Sequence, residues 1–267
     1  MLNEFLYGHP GYVIGPVMVG VFVLIGVIGQ LLTFRLVPAA LRQENKDATV
    51  YMASIVGVIY AVLLAFIAVA AWESFNKAGD IAAKEASLVG DLYRDSRLLE
   101  RTVSDGVGKL LEDYVATVVD EEWPAMAAGD SIGIKGWILL EQAAGVLVHD
   151  SGSDPKSIAL LNEMLGRLND IYDARRDRLI AADDQLQPSV WAVVLCGGLI
   201  SLLFCWIFGT PSAGFHLLLT ALVSAAFGLV MFLIVSFDLP FRGEVQVGPG
   251  QFVLVQKNIE RLKTTLH

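Results

Sequence analysis

The stretch VYMASIVGVIYAVLLAFIAVAAW, residues 50–72, decides the fold. It carries no charge over 23 residues, enough helix to cross a hydrocarbon core of roughly 30 Å. A buried helix of a water-soluble protein rarely runs so far without a charge. Three more runs share the property: Tyr12–Phe34, with Gln30 its only strongly polar side chain, Ser189–Gly209 and Leu217–Phe237. They account for a chain that is 55% hydrophobic over 267 residues, with a mean hydropathy of +0.58. Aromatics stand near the run ends, at Tyr12, Phe34, Tyr51, Trp72, Trp191, Trp206 and Phe237, as interfacial anchors do. The leader Met1–Gly11 has no Lys or Arg, and the first run is too long for a signal peptide, so it reads as a retained span.

The expected fold is therefore an all-α membrane protein. Four transmembrane helices (spans 12–34, 50–72, 189–209 and 217–237) carry a helical cytoplasmic domain between the second and third. The divisions are an N-terminal hairpin over 1–72, the domain over 73–188, a C-terminal hairpin over 189–237 and a tail over 238–267. Four spans put both termini on the side of the domain. Near the span ends that side holds Lys77, Lys84, Arg175, Arg176, Arg178, Arg242 and Lys257, against Arg35, Arg42 and Lys46 on the other. The bias favours a cytoplasmic domain in a bacterial inner membrane.

The domain reads as helical throughout. No breaker follows Trp72, so the second span runs on, with Phe75, Ala78, Ala82, Val89, Leu92 and Leu99 near one face. Val103, Val107, Leu110, Tyr114 and Val118 mark a second helix, and Gly136–Val148 a third. Asp154-Pro155 reads as an N-cap with proline at the first helical position. The helix it opens carries Ile158, Leu161, Leu165, Leu168, Tyr172 and Leu179 on its apolar face. In the tail, Pro249 opens a short amphipathic helix with Phe252, Val255, Ile259 and Leu262, packed on the domain or on a neighbouring subunit.

Between Glu73 and Pro188 there are 22 acids and 12 bases, which argues against nucleic acid as a partner. The four histidines, His9, His149, His216 and His267, fall at no metal-ligand spacing. Cys196 and Cys205 read as small packing residues, with no metal spacing or disulfide framework. Asp120-Glu121-Glu122 lacks the alternating ligands of a calcium loop and reads as a solvated helix end, as does Asp183-Asp184. His216 reads as an interfacial polar anchor. No catalytic cluster, metal site or cofactor motif appears, so an enzyme is not expected. Coupled transport is disfavoured by the absence of ionisable groups in the last three spans.

The second span has two faces. Gly57, Ala61 and Ala65 recur every four residues, as helix-packing positions do. Tyr60, Leu64, Ile67 and Ala71 form a bulkier face, which either meets lipid or a neighbouring span or lines a narrow apolar pore that gates by dewetting. Beyond the membrane, Glu73, Lys77, Asp80 and Lys84 share one face, as vestibule lining or as a solvated, helix-stabilising surface.

Several segments, Tyr60–Phe66, Trp72-Glu73, Glu85-Ala86, Leu92–Arg94, Glu122–Met126, His216–Thr220 and Asp238–Gly243, with Pro249 and Phe252, resemble the bacterial DUF4239 family, also called bestrophin-like domain proteins. The resemblance implies the bestrophin order of elements, two spans, a helical cytosolic domain and two more spans. It further implies a pentameric ion channel whose second helix forms an apolar neck. The basic-aromatic-proline stretch and the acidic calcium clasp of bestrophins proper are absent, so calcium activation is not implied.

Two readings stand. One is an oligomeric bestrophin-like channel for small inorganic ions. The other is a non-conducting membrane sensor or scaffold whose helical domain binds a partner. A ring of subunits separates them, since one four-span chain encloses too little space for a lined path.

Overall fold

The computed structural model describes residues 11–149 and 155–265, and among them all regular structure is helical. The expected N-cap Asp154, and His9 and His267, lie outside the described residues.

The helices in chain order are α1 (Gly11–Leu36), α2 (Ala39–Glu44), α3 (Lys46–Ser96), α4 (Arg101–Thr117), α5 (Trp123–Ala128), α6 (Lys135–His149), α7 (Pro155–Asp183), α8 (Pro188–Ile207), α9 (Ala213–Asp238) and α10 (Gly250–Thr265). A π-helical turn, Val118–Glu122, joins α4 to α5. Four stretches, in α1, α3, α8 and α9, are long and apolar enough to cross a membrane. The chain divides into two compact units, and α3 contributes to both.

The first unit takes in Met1–Ser74, Gln185–Asp238 and Gly243–Val245. Its core is Tyr60, Leu64, Val194, Met231 and Ile234. The broadest packing is α1 on α9, and small residues permit it. A Cβ at Gly228 would stand 2.8 Å from the Val19 Cα, so only glycine lets the two backbones approach this closely. Large apolar side chains remain uncovered around the bundle, among them Leu24, Val58, Phe66 and Leu222, as a bilayer-facing surface requires.

The second unit takes in Phe75–Asp184, Leu239–Arg242 and Gln246–His267. Ala78, Ala82, Val89 and Leu92 of α3, Val107, Leu111 and Val115 of α4, and Leu140 and Leu147 of α6 build its core. The segment after α9 is part of that core, with Phe241, Phe252 and Ile259 buried. Trp123 anchors it: the indole N–H donates to the Val247 carbonyl at 2.9 Å, and the ring meets Phe241 edge-on at 5.6 Å. At the end of α5, Gly129 takes φ 78°, closing the helix in the left-handed conformation that glycine adopts without strain.

The expected face of α7 does meet the core, with Leu168 buried and Leu161, Leu165 and Tyr172 packed half-buried against it. The most deeply buried positions run beside it and include Met164, Leu168, Ile171, Arg175, Arg178 and Ala182, spaced four, three, four, three, four. Ile158 is 46% exposed. Two arginines occupy core positions, which a reading by apolar residues alone passes over.

Candidate functional site

Chemistry-bearing side chains gather in three places: the faces of α3, the buried polar centre of the second unit, and the polar groups among the spans.

Within the first unit, the bulky face of α3 is turned inward. Tyr60 and Leu64 are each 6% exposed and Ala71 is 2% exposed; Ile67 is half-buried. The Tyr60 hydroxyl donates to the Val194 carbonyl at 2.7 Å, and its ring meets Phe227 edge-on. Tyr60, Leu64 and Ala71 thus pack inside their own bundle, as a face set against a neighbouring span does, and little of their surface is left open. The small positions are the uncovered ones. Ala61 and Ala65 are exposed, and a Cβ at Gly57 would meet open space. At about 100° of rotation per residue, Val58, Val62, Ala65 and Val69 lie opposite Tyr60, all exposed. Glu73, Lys77, Asp80 and Lys84 are exposed as well.

The polar centre of the second unit was not foreseen. Glu122 is 3% exposed, while Asp120 and Glu121 of the same acidic run are exposed. The solvated-end reading therefore holds for two of the three and fails for Glu122. The π turn gives the run its extra residue per turn and rotates Glu122 inward. Arg175 grips it with both terminal nitrogens, at 2.8 and 2.6 Å. Arg178 donates to the same carboxylate at 2.8 Å and reaches Glu85 through Nε at 2.6 Å. The Tyr114 hydroxyl donates to Glu85. Both arginines and Glu85 are 0% exposed. Two acids and two bases balance, and planar guanidinium forks match carboxylates.

Aromatic faces complete the enclosure. The Arg175 guanidinium lies 4.8 Å from the Trp137 ring centre. That of Arg178 lies 5.3 Å from Trp123 and 5.8 Å from Phe252. Burial by itself raises the Glu122 carboxyl, but the Arg175 hydrogen bond and both arginine charges outweigh it and hold the group below its ordinary range. Burial raises the Tyr114 hydroxyl well above its usual value, and the charge of Glu85 adds to the rise. Every one of these side chains is consumed by a partner within the cluster. The arrangement is a structural clamp. It joins residues whose sequence segments carried the family resemblance: Glu85, Glu122, Trp123, Met126 and Phe252. Among the described residues no group of three or more His, Cys, Asp or Glu is placed to hold a metal.

Among the spans, Gln30 is 0% exposed. It donates to the Trp206 carbonyl at 3.2 Å and accepts from Thr220 at 3.2 Å. His216, at the start of α9, is 2% exposed, so its ring is held inside the bundle and not presented at its surface. Its Nε2 lies 2.8 Å from the Cys205 carbonyl.

A bestrophin-like domain model matches residues 20–252. Among solved structures, a bacterial bestrophin homologue from Klebsiella pneumoniae carrying one substitution is similar, with a TM-score of 0.67 at 14% identity. That match covers 92% of this chain and 98% of the other. A second structure of that homologue, phased on zinc, gives a TM-score of 0.64 at 14% identity, covering 89% and 96%. A third match is described only as a membrane protein, with a TM-score of 0.65 at 15% identity over 90% and 97%. At these identities the likeness shows the fold. No curated protein matches the sequence.

Proposed function

Since the chain belongs to the bestrophin-like family, we propose that it assembles into a ring, five-fold by that likeness, and conducts small inorganic ions along the outward face of α3. We place it in the bacterial DUF4239 group, in the inner membrane, with the second unit in the cytoplasm.

The supporting observation is the orientation of α3. Its bulky side is consumed by its own bundle, which leaves an uncharged, small-to-medium stripe, Val58, Val62, Ala65 and Val69, for the ring axis. A constriction of valine and alanine gates by dewetting rather than by charge. Gly57 and Ala61, on the flank, suit close contact with the next copy. Glu73, Lys77, Asp80 and Lys84 follow as the mixed-charge wall of a vestibule. Acidity of the second unit raises the cation concentration near its mouth.

The test is single-channel recording from purified protein in a planar bilayer under a salt gradient. Val62→Ser should raise unitary conductance by wetting the constriction. Unchanged unitary currents in V62S would remove this face from the pore. Silence from intact protein, across voltage, pH and calcium, would replace the channel with the sensor or scaffold reading.

A further inference from the structure

Arg42, in the short helix α2 between the first two spans, is buried without a counter-charge. It is 9% exposed, and among the described residues no carboxylate lies within ion-pair distance of it. Its guanidinium sits 4.8 Å from the Phe34 ring centre, and its Nε is sealed from solvent with no hydrogen bond. The terminal nitrogens are not sealed with it, so a largely buried cation keeps an open end on which an anion can compensate it.

A second orphan stands on the same ring. His216 meets Phe34 edge-on at 5.6 Å. A carbonyl only accepts, so the Cys205 contact makes Nε2 the donor of the neutral ring. Nδ1 is then a bare acceptor, buried and without a partner. His216 also edges a cleft of about 390 Å³, walled by Val50, Ala53, Phe204, Leu219 and Val223. That volume lies in the range of ligand sites, about 300–1,000 Å³, and all of it belongs to the first unit.

We propose that this end of the spans is a binding site for one anionic phospholipid. Its phosphate compensates Arg42, and an acyl chain enters the apolar cleft that His216 edges. Phosphatidylglycerol is a simple anionic lipid with both features. The position of α2 supports a lipid over a free anion: Arg42 lies between span ends, at the level where headgroups stand, and an inorganic ion has no use for the cleft. The site does not depend on conduction, so failure of the channel reading leaves it standing.

Full-length protein in phosphatidylcholine is titrated with phosphatidylglycerol, and bound lipid is counted by native mass spectrometry alongside thermal stability. The wild type should retain phosphatidylglycerol preferentially and gain stability from it. Arg42→Gln should weaken retention roughly tenfold or more, as loss of a charge-assisted contact does. Ala53→Phe, which fills the cleft and leaves Arg42 in place, should weaken it too; it serves as the second arm if R42Q does not fold. Equal retention of the two lipids by the wild type, or full retention by A53F, overturns the proposal. Stabilisation by inorganic phosphate equal to that by the lipid would assign Arg42 to a free anion instead.

Discussion

Glu122 shows how much a single side chain can carry. It is the acceptor shared by Arg175 and Arg178, so Glu122→Gln leaves two buried cations with half their compensation. Removing one partner of a buried ion pair costs about 3–5 kcal/mol, and urea or thermal unfolding of the E122Q protein should register a loss of that order. Glu122 also sets the acid limit. Its folded pKa lies below the ordinary 4.5. The stability it contributes is therefore present above that ordinary value and is lost as pH falls through the lowered one. Melting temperature followed from pH 7 downward should fall on that limb in the wild type and lose much of that dependence in E122Q. None of this was legible in the sequence. Asp120-Glu121-Glu122 reads as one charged run, and only the π turn separates its buried member from the two exposed ones. The available signal was in α7, where Arg175 and Arg178 continue the spacing of Met164, Leu168 and Ile171.

At the scale of elements, α3 was legible in length and opaque in rotation. An uncharged run followed by no breaker predicts one long helix, and the helix is 51 residues. Which face turns inward is decided by partners that the run does not contain. Val194 offers a carbonyl to Tyr60, and Gly197 leaves room for the Tyr60 ring, which an added Cβ would strike. Bulk therefore marked the packing face here, and small residues marked the free one. Leu64→Ala and Val62→Ser separate the two faces. L64A should cost about 2–5 kcal/mol through its cavity, seen as a lower melting temperature in detergent, with little change in unitary conductance. A conductance rise in L64A comparable to that in V62S would return the bulky face to the pore.

For the whole molecule, span count and order were legible because length and charge alone set them. Assembly was not, since one chain says little about its copies. In the proposed ring, mass photometry of nanodisc-embedded protein should give one species of more than two copies. A monomer or dimer would favour the sensor or scaffold reading. Arg175 and Arg178 are buried in the clamp, so five of the seven cations on that side remain for the membrane surface.

The segment carrying Phe241 and Phe252 has a consequence in time. It closes over Arg178 and Trp123, yet it follows all four spans in the chain. Synthesis runs from the N-terminus, so Glu85, Glu122 and both arginines are in place long before their lid exists. The second unit must wait, its charges half-sheltered, until the last hairpin has entered the bilayer. Insertion thereby becomes a checkpoint: a chain that stalls before α9 displays an unfinished core to the cell's proteases, and only a fully threaded one can hide it.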